Sequence, residues 1–146
     1  MKPVHILLVE DNEGDILLIT EALKDGRILN TISIAKDGEQ AVDFLEKRGD
    51  FQNKHLPDLI ILDINLPKIN GHEVLEHIKK TEYLKQIPVI MLTTSSSEKD
   101  IVESYKHHAN CYITKPVEVD EFLNAVTQIE QFWIQLIKLP TNVTES

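Results

Sequence analysis

The chain is poor in cysteine, in glycine and in positive charge, and it has no long apolar run. A single cysteine, Cys111, among 146 residues rules out an intrachain disulfide and suits a reducing compartment. Its apolar runs are a few residues each. A bilayer-spanning helix needs about 20, so none is expected. Met1-Lys2-Pro3 leads directly into a strand pattern without the look of a signal peptide, and the expected location is the cytoplasm. Asn142-Val143-Thr144 fits a glycosylation acceptor, but without an export signal it reads as coincidence. Lys and Arg total 15 against 24 Asp and Glu, a net charge of −9. With no basic stripe and no room for a helix-turn-helix, direct binding to nucleic acid is not expected, and the acidic balance suits protein partners. No glycine-rich phosphate loop follows the first strand, which disfavours a nucleotide or flavin binder.

What is present centres on Leu59-Ile60-Ile61-Leu62-Asp63, bounded by Pro57 and Pro67. An aliphatic run this short reads as a strand buried on both faces of a parallel sheet. Asp63 then stands at the carboxyl end of that strand, where open α/β sheets place ligands. Alone, it could equally open a turn.

The same rhythm runs along the chain. A strand over 4–9 ends in Glu10-Asp11, and a helix with Ile16, Ile19 and Leu23 on one face closes at Asp25-Gly26. A strand over 31–35 precedes Asp37, which with Gln40 resembles a capping box for a helix reaching about Arg48. A polar connection over 49–56 leads to the central strand. Asn70-Gly71 turns into a helix carrying Val74, Leu75 and Ile78 inward. A fourth apolar run over 88–92 ends at Thr93-Thr94, and Ser97 with Asp100 caps a helix containing Ile101, Val102 and Tyr105. A fifth strand over 111–114 ends at Lys115-Pro116. The last helix runs from about 118 to 138, stopped by Pro140, so the chain divides into one domain over 1–139 and a polar tail over 140–146. Five strand–helix units imply an α/β fold: a parallel sheet with right-handed crossovers and helices on both faces.

Glu10, Asp11 and Asp63 meet if the first and third strands are neighbours. Carboxylates that close raise one another's pKa unless a cation offsets them. A hard divalent ion, Mg²⁺, suits such oxygen ligands. Lys115 adds a long-reaching positive charge and Thr93 a hydroxyl. Together these are the parts of a phosphoryl-transfer site. Singly, Thr93 reads as a β-former, Tyr112 as a half-buried aromatic and Lys115 as a solvated charge. Jointly with Asp63 those readings lose their force. His107-His108 are adjacent and point apart on a helix, so they do not form a metal pair. His5, on a strand pattern, reads as a hydrogen-bonded histidine.

These residues, Glu10-Asp11, Asp63-Ile64-Asn65-Leu66-Pro67 with Gly71, Thr93, Tyr112 and Lys115-Pro116, resemble the receiver domains of bacterial two-component response regulators over about 4–130. The resemblance implies a flavodoxin-like (βα)5 doubly wound sheet of strand order 2-1-3-4-5. It implies that Asp63 takes a phosphoryl group from a phosphohistidine on a sensor histidine kinase. Mg²⁺ would be held by Glu10, Asp11, Asp63 and the backbone carbonyl of Asn65. Thr93, Thr94 and Lys115 would contact the phosphate, and a cis bond before Pro116 would reposition Lys115. Thr93 and Tyr112 would move together as a switch, and the output surface would be the fourth helix, fifth strand and fifth helix. The protein would assist its own phosphorylation and dephosphorylation without turning over a separate substrate.

Some positions depart from the family's usual residues. Thr94 stands where many receivers carry alanine, and is expected to slow access of water or small donors. His108 and Cys111 replace glycines frequent before the fifth strand. Asn65 and Ser95 flank the acceptor at positions that influence aspartyl-phosphate lifetime. No effector domain is visible, so a stand-alone regulator acting by contact is expected. The last helix is longer than a receiver needs, with one packed face through Phe122, Ala125, Val126, Ile129, Trp133, Leu136 and Ile137. Phe132, Ile134 and Leu139 lie outside it as a second apolar surface. Phe132, Trp133 and Leu136 are the candidate face for a homodimer. The Phe132-Trp133 pair, the Leu139-Pro140 ending and the longer connection before the third strand resemble regulators serving phytochrome-type kinases. A phosphatase of the haloacid dehalogenase type is disfavoured because Asn65 stands where that chemistry needs a second carboxylate. A degenerate scaffold receiver is disfavoured by the intact acidic pair, Asp63, Thr93 and Lys115.

Overall fold

Alternating apolar runs and amphipathic stretches fold into strand–helix units, seen in a computed structural model that describes residues 3–26, 29–94 and 109–131. In chain order these are β1 (Val4–Val9), α1 (Glu13–Asp25), β2 (Asn30–Ala35), α2 (Gly38–Leu45), a 3-10 turn (Gly49–Phe51), β3 (Leu59–Asp63), α3 (Gly71–Lys80), β4 (Val89–Thr94), β5 (Cys111–Lys115) and α4 (Val119–Ile129). The strands form one parallel sheet in the order β2-β1-β3-β4-β5. This is the flavodoxin-like arrangement that the family resemblance implies. No described helix is long and apolar enough to cross a membrane.

The pleat divides the core in two. Ile6, Leu8, Ile61, Ile90 and Leu92 face α1 and α4, where Ile19, Leu23, Phe122 and Val126 meet them. Leu7, Val9, Ile60, Leu62 and Met91 face α2 and α3, against Phe44, Leu45, Val74 and Leu75. Every residue of β3 is buried, as a strand covered by helices on both faces must be.

Several boundaries differ from the sequence expectation. Helix α2 ends at Leu45 rather than near Arg48, because Lys47 (φ 58°) and Gly49 (φ 55°) adopt left-handed backbone. The capping box at Asp37 is half formed. Its carboxylate accepts from Gln40 N–H at 2.7 Å, while the Gln40 side chain takes the N–H of Lys36 at 3.0 Å. A complete capping box closes around Asn70 and Glu73, where the sequence expectation is an Asn70-Gly71 turn that leaves Glu73, three residues on, unused. The connection over 49–56 is not wholly polar in its packing: Phe51 lies against Phe44 with ring centroids 5.3 Å apart. His5 is hydrogen-bonded as expected, its Nε2 2.9 Å from Ser33 Oγ and its Nδ1 3.3 Å from Leu56 O. Ser95, the helix expected from Ser97, His107-His108, Phe132, Trp133, Leu136 and the tail over 140–146 lie outside the described residues.

Candidate functional site

Parallel strands send all their carboxyl ends to one edge, and the site is built there. Register pairs Val9 with Leu62, Asp63 with Leu92, Thr93 with Thr114, and Thr94 with Lys115. Glu10 follows β1 directly, Asp63 ends β3, Thr93 and Thr94 end β4, and Lys115 ends β5. The Lys115-Pro116 bond is cis, as the family resemblance implies.

Asp63 is 2% exposed, and both of its carboxylate oxygens are held. Oδ1 accepts the backbone N–H of Asn65 at 3.2 Å, and Oδ2 accepts from the Lys115 ammonium at 3.1 Å. The chain after Asp63 folds tightly back: Gly71 N–H donates to Ile64 O at 2.9 Å. A Cβ at Gly71 would lie 2.3 Å from Asp63 O and 2.6 Å from Ile64 Cα, so only glycine fits under the strand end.

Glu10 is wholly buried. Its Oε2 accepts the backbone N–H groups of Asp11 (3.1 Å) and Asn12 (3.2 Å). Burial, followed by contact with Asp63, pushes its carboxyl up to about 7 against the pull of Lys115. Lys115 lies 2.7 Å from Glu10 Oε1, 3.0 Å from Asp15 Oδ2 and 3.1 Å from Asp63 Oδ2. Burial alone would lower its pKa. The hydrogen-bonding carboxylates of Glu10 and Asp15, with the charges of Asp63 and Glu10, outweigh burial and hold it above the ordinary lysine value.

Carboxylate oxygens of Glu10, Asp11 and Asp63 lie within 4.8 Å of one another, with Asp11 exposed and the other two buried. Glu10 Oε1 faces the Lys115 ammonium at 2.7 Å. An all-oxygen, acidic donor set with two of its three members buried fits a hard divalent cation such as Mg²⁺. Thr93 is buried, and among the described residues its hydroxyl makes a long 3.4 Å contact with Thr94 O. Tyr112 pairs with Met91 and is half-buried on the α2–α3 face. Met91 and Thr93 project to that same face, which sets Thr93 and Tyr112 on neighbouring strands of one surface.

The structure thus brings Glu10, Asp11, Asp63, Asn65, Thr93, Thr94 and Lys115 to one edge. Sequence reasoning missed Asp15. Its only signal is an acidic residue in the first turn of the helix after Glu10-Asp11, where a carboxylate also serves the helix dipole.

Comparison with known proteins gives the same reading of the fold. The family described as "Response regulator receiver domain" matches residues 6–127. The chain is 45% identical over 138 residues to response regulator Rcp1 of Synechocystis sp., covering 94% of each chain. Among solved structures, the phosphorylated cyanobacterial phytochrome response regulator RcpA superposes with a TM-score of 0.79 at 45% identity, over 91% of this chain and 95% of that one. The Mn²⁺-bound form of Rcp1 superposes with a TM-score of 0.78 at 46% identity, over 90% of this chain and 94% of that one.

Proposed function

The chain belongs to the response regulator receiver-domain family, and on that premise we propose that Asp63 accepts a phosphoryl group from a phosphohistidine of a sensor histidine kinase. The observation that carries this reading is a buried aspartate whose carboxylate is gripped by a strand-end lysine inside a cluster of acidic side chains. In the transfer, a carboxylate oxygen of Asp63 bonds to phosphorus as the phosphorus–nitrogen bond to the kinase ring breaks. The electron pair returns to the ring nitrogen, and the ring leaves as neutral imidazole, its proton on the other nitrogen.

Glu10, Asp11, Asp63 and the backbone carbonyl of Asn65 would hold Mg²⁺, which supplies positive charge against the carboxylates and the incoming phosphoryl oxygens. The Mn²⁺-bound form of Rcp1 supports a divalent cation in a relative. Asn65 N–H orients one oxygen of Asp63. Lys115, already on Asp63, donates to a phosphoryl oxygen, and the hydroxyls of Thr93 and Thr94 serve the others. Rearrangement of Thr93 then carries Tyr112 with it and alters the surface of β5, the last helix and the helix that the sequence predicts from Ser97. The protein turns over no separate substrate and acts in the cytoplasm. The description of RcpA as a phytochrome response regulator, at 45% identity, supports a phytochrome-type kinase as partner. Signalling is by contact with other proteins, and Phe132, Trp133 and Leu136 support a homodimer.

Acetyl phosphate with Mg²⁺ tests the reading. The protein should gain one acid-stable, alkali-labile phosphate by intact mass, and Asp63→Asn should gain none. Equal uptake by both proteins, or steady hydrolysis of p-nitrophenyl phosphate, would overturn it.

A further inference from the structure

Lys115 touches a third carboxylate that the phosphoacceptor reading leaves without a role. Asp15 Oδ2 stands 3.0 Å from the ammonium, comparable with Glu10 at 2.7 Å and Asp63 at 3.1 Å. An ammonium has three N–H donors, and among the described residues three carboxylates surround this one. Two of them are spoken for. Glu10 belongs to the cation-binding set, and Asp63 changes chemically when phosphorylated. Asp15 does neither, since it sits on α1 at the rim, with its side chain 26% exposed. Its position is fixed by the backbone. Asn12 caps α1 and accepts the N–H of Asp15 itself at 2.9 Å, so the first turn holds the carboxylate over the cleft.

We propose that Asp15 is a positioning residue: its carboxylate anchors the Lys115 ammonium at the α1 rim and keeps it aimed at Asp63 while Glu10 and Asp63 are engaged elsewhere. The inference rests on the phosphoacceptor reading for its consequence and on the ion pair for its cause. Without the anchor, Lys115 loses the one partner that persists through the transfer, and its long side chain regains rotamer freedom. Phosphorylation should slow even though every residue that touches phosphorus is intact.

Two readouts test this. In metal-free protein, the rate of Lys115 acylation by an N-hydroxysuccinimide ester, referenced to Lys24 by peptide mass, reports how firmly the ammonium is held. With Mg²⁺ and acetyl phosphate, an Asp63 oxygen–phosphorus bond forms as acetate leaves with the electrons of the broken bond, and the rate reports alignment. Asp15→Ala should raise Lys115 acylation and slow phosphorylation by roughly fivefold, as losing part of a charge-assisted contact would. Asp15→Glu should restore both. In a Lys115→Ala background Asp15→Ala should cost nothing further. Unchanged acylation in Asp15→Ala, or equal slowing in both backgrounds, would overturn the anchor and leave only a structural role. Wild-type protein that takes no phosphate defeats the phosphoacceptor reading, while the acylation readout still decides the anchor.

Discussion

Glu10 is wholly buried, and its carboxyl is pushed up to about 7 because burial and then contact with Asp63 oppose its ionisation. A group whose folded pKa is raised contributes stability that is complete below its ordinary value of 4.5 and lost as pH rises toward about 7. A divalent cation must displace that proton. Mg²⁺ affinity should therefore climb as pH rises to about 7 and level off above it, as calorimetric titrations at several pH values would show. Glu10→Gln should flatten the profile and weaken binding; an unchanged slope in that variant would assign the proton elsewhere. Gly71 makes a second prediction. A methyl there would meet Asp63 O at 2.3 Å, so Gly71→Ala should cost about 1–3 kcal/mol in urea unfolding and slow phosphate uptake by shifting the strand end. Asp63 and Lys115 were legible in the sequence because each closes an apolar run. Asp15 was not, since its partner lies on another element and nothing local marks the pair.

At the scale of elements, strands were read more securely than helix ends. A buried parallel strand announces itself by an unbroken aliphatic run, whereas α2 stops where Lys47 turns left-handed, a choice its composition does not reveal. Contacts between helices were invisible too. Glu46, the C-cap of α2, receives His77 of α3 at 2.7 Å and the hydroxyl of Tyr83 just beyond α3. The Tyr83 hydrogen bond, then that of His77, holds the Glu46 carboxyl below its ordinary value. Such a group stabilises the fold above the ordinary glutamate value, and the contribution fades as pH falls through the depressed one. Glu46→Gln should lower stability at neutral pH by about 1 kcal/mol, with the gap from wild type closing on acidification. A gap that is constant with pH would mean the carboxylate charge is not what joins α2 to α3.

For the whole molecule, alternation of strand and helix fixes a parallel sheet, and the sheet in turn gathers residues distant in sequence at one edge. That is why the candidate site could be assembled from the chain order alone. Self-association is a separate matter, argued from Phe132, Trp133 and Leu136 in the sequence. Native mass spectrometry should give twice the chain mass, and Trp133→Ala should shift it toward one; a single-chain mass throughout would remove the homodimer. The central claim is chemical and has a direct measurement. Protein treated with acetyl phosphate and Mg²⁺ and then reduced with borohydride, which converts an aspartyl phosphate to homoserine, can be digested and mapped residue by residue by mass spectrometry. The account predicts homoserine at position 63 and nowhere else. Homoserine at Asp11, 5-hydroxynorvaline (the glutamate counterpart) at Glu10, or no reduced carboxylate at all, would contradict it.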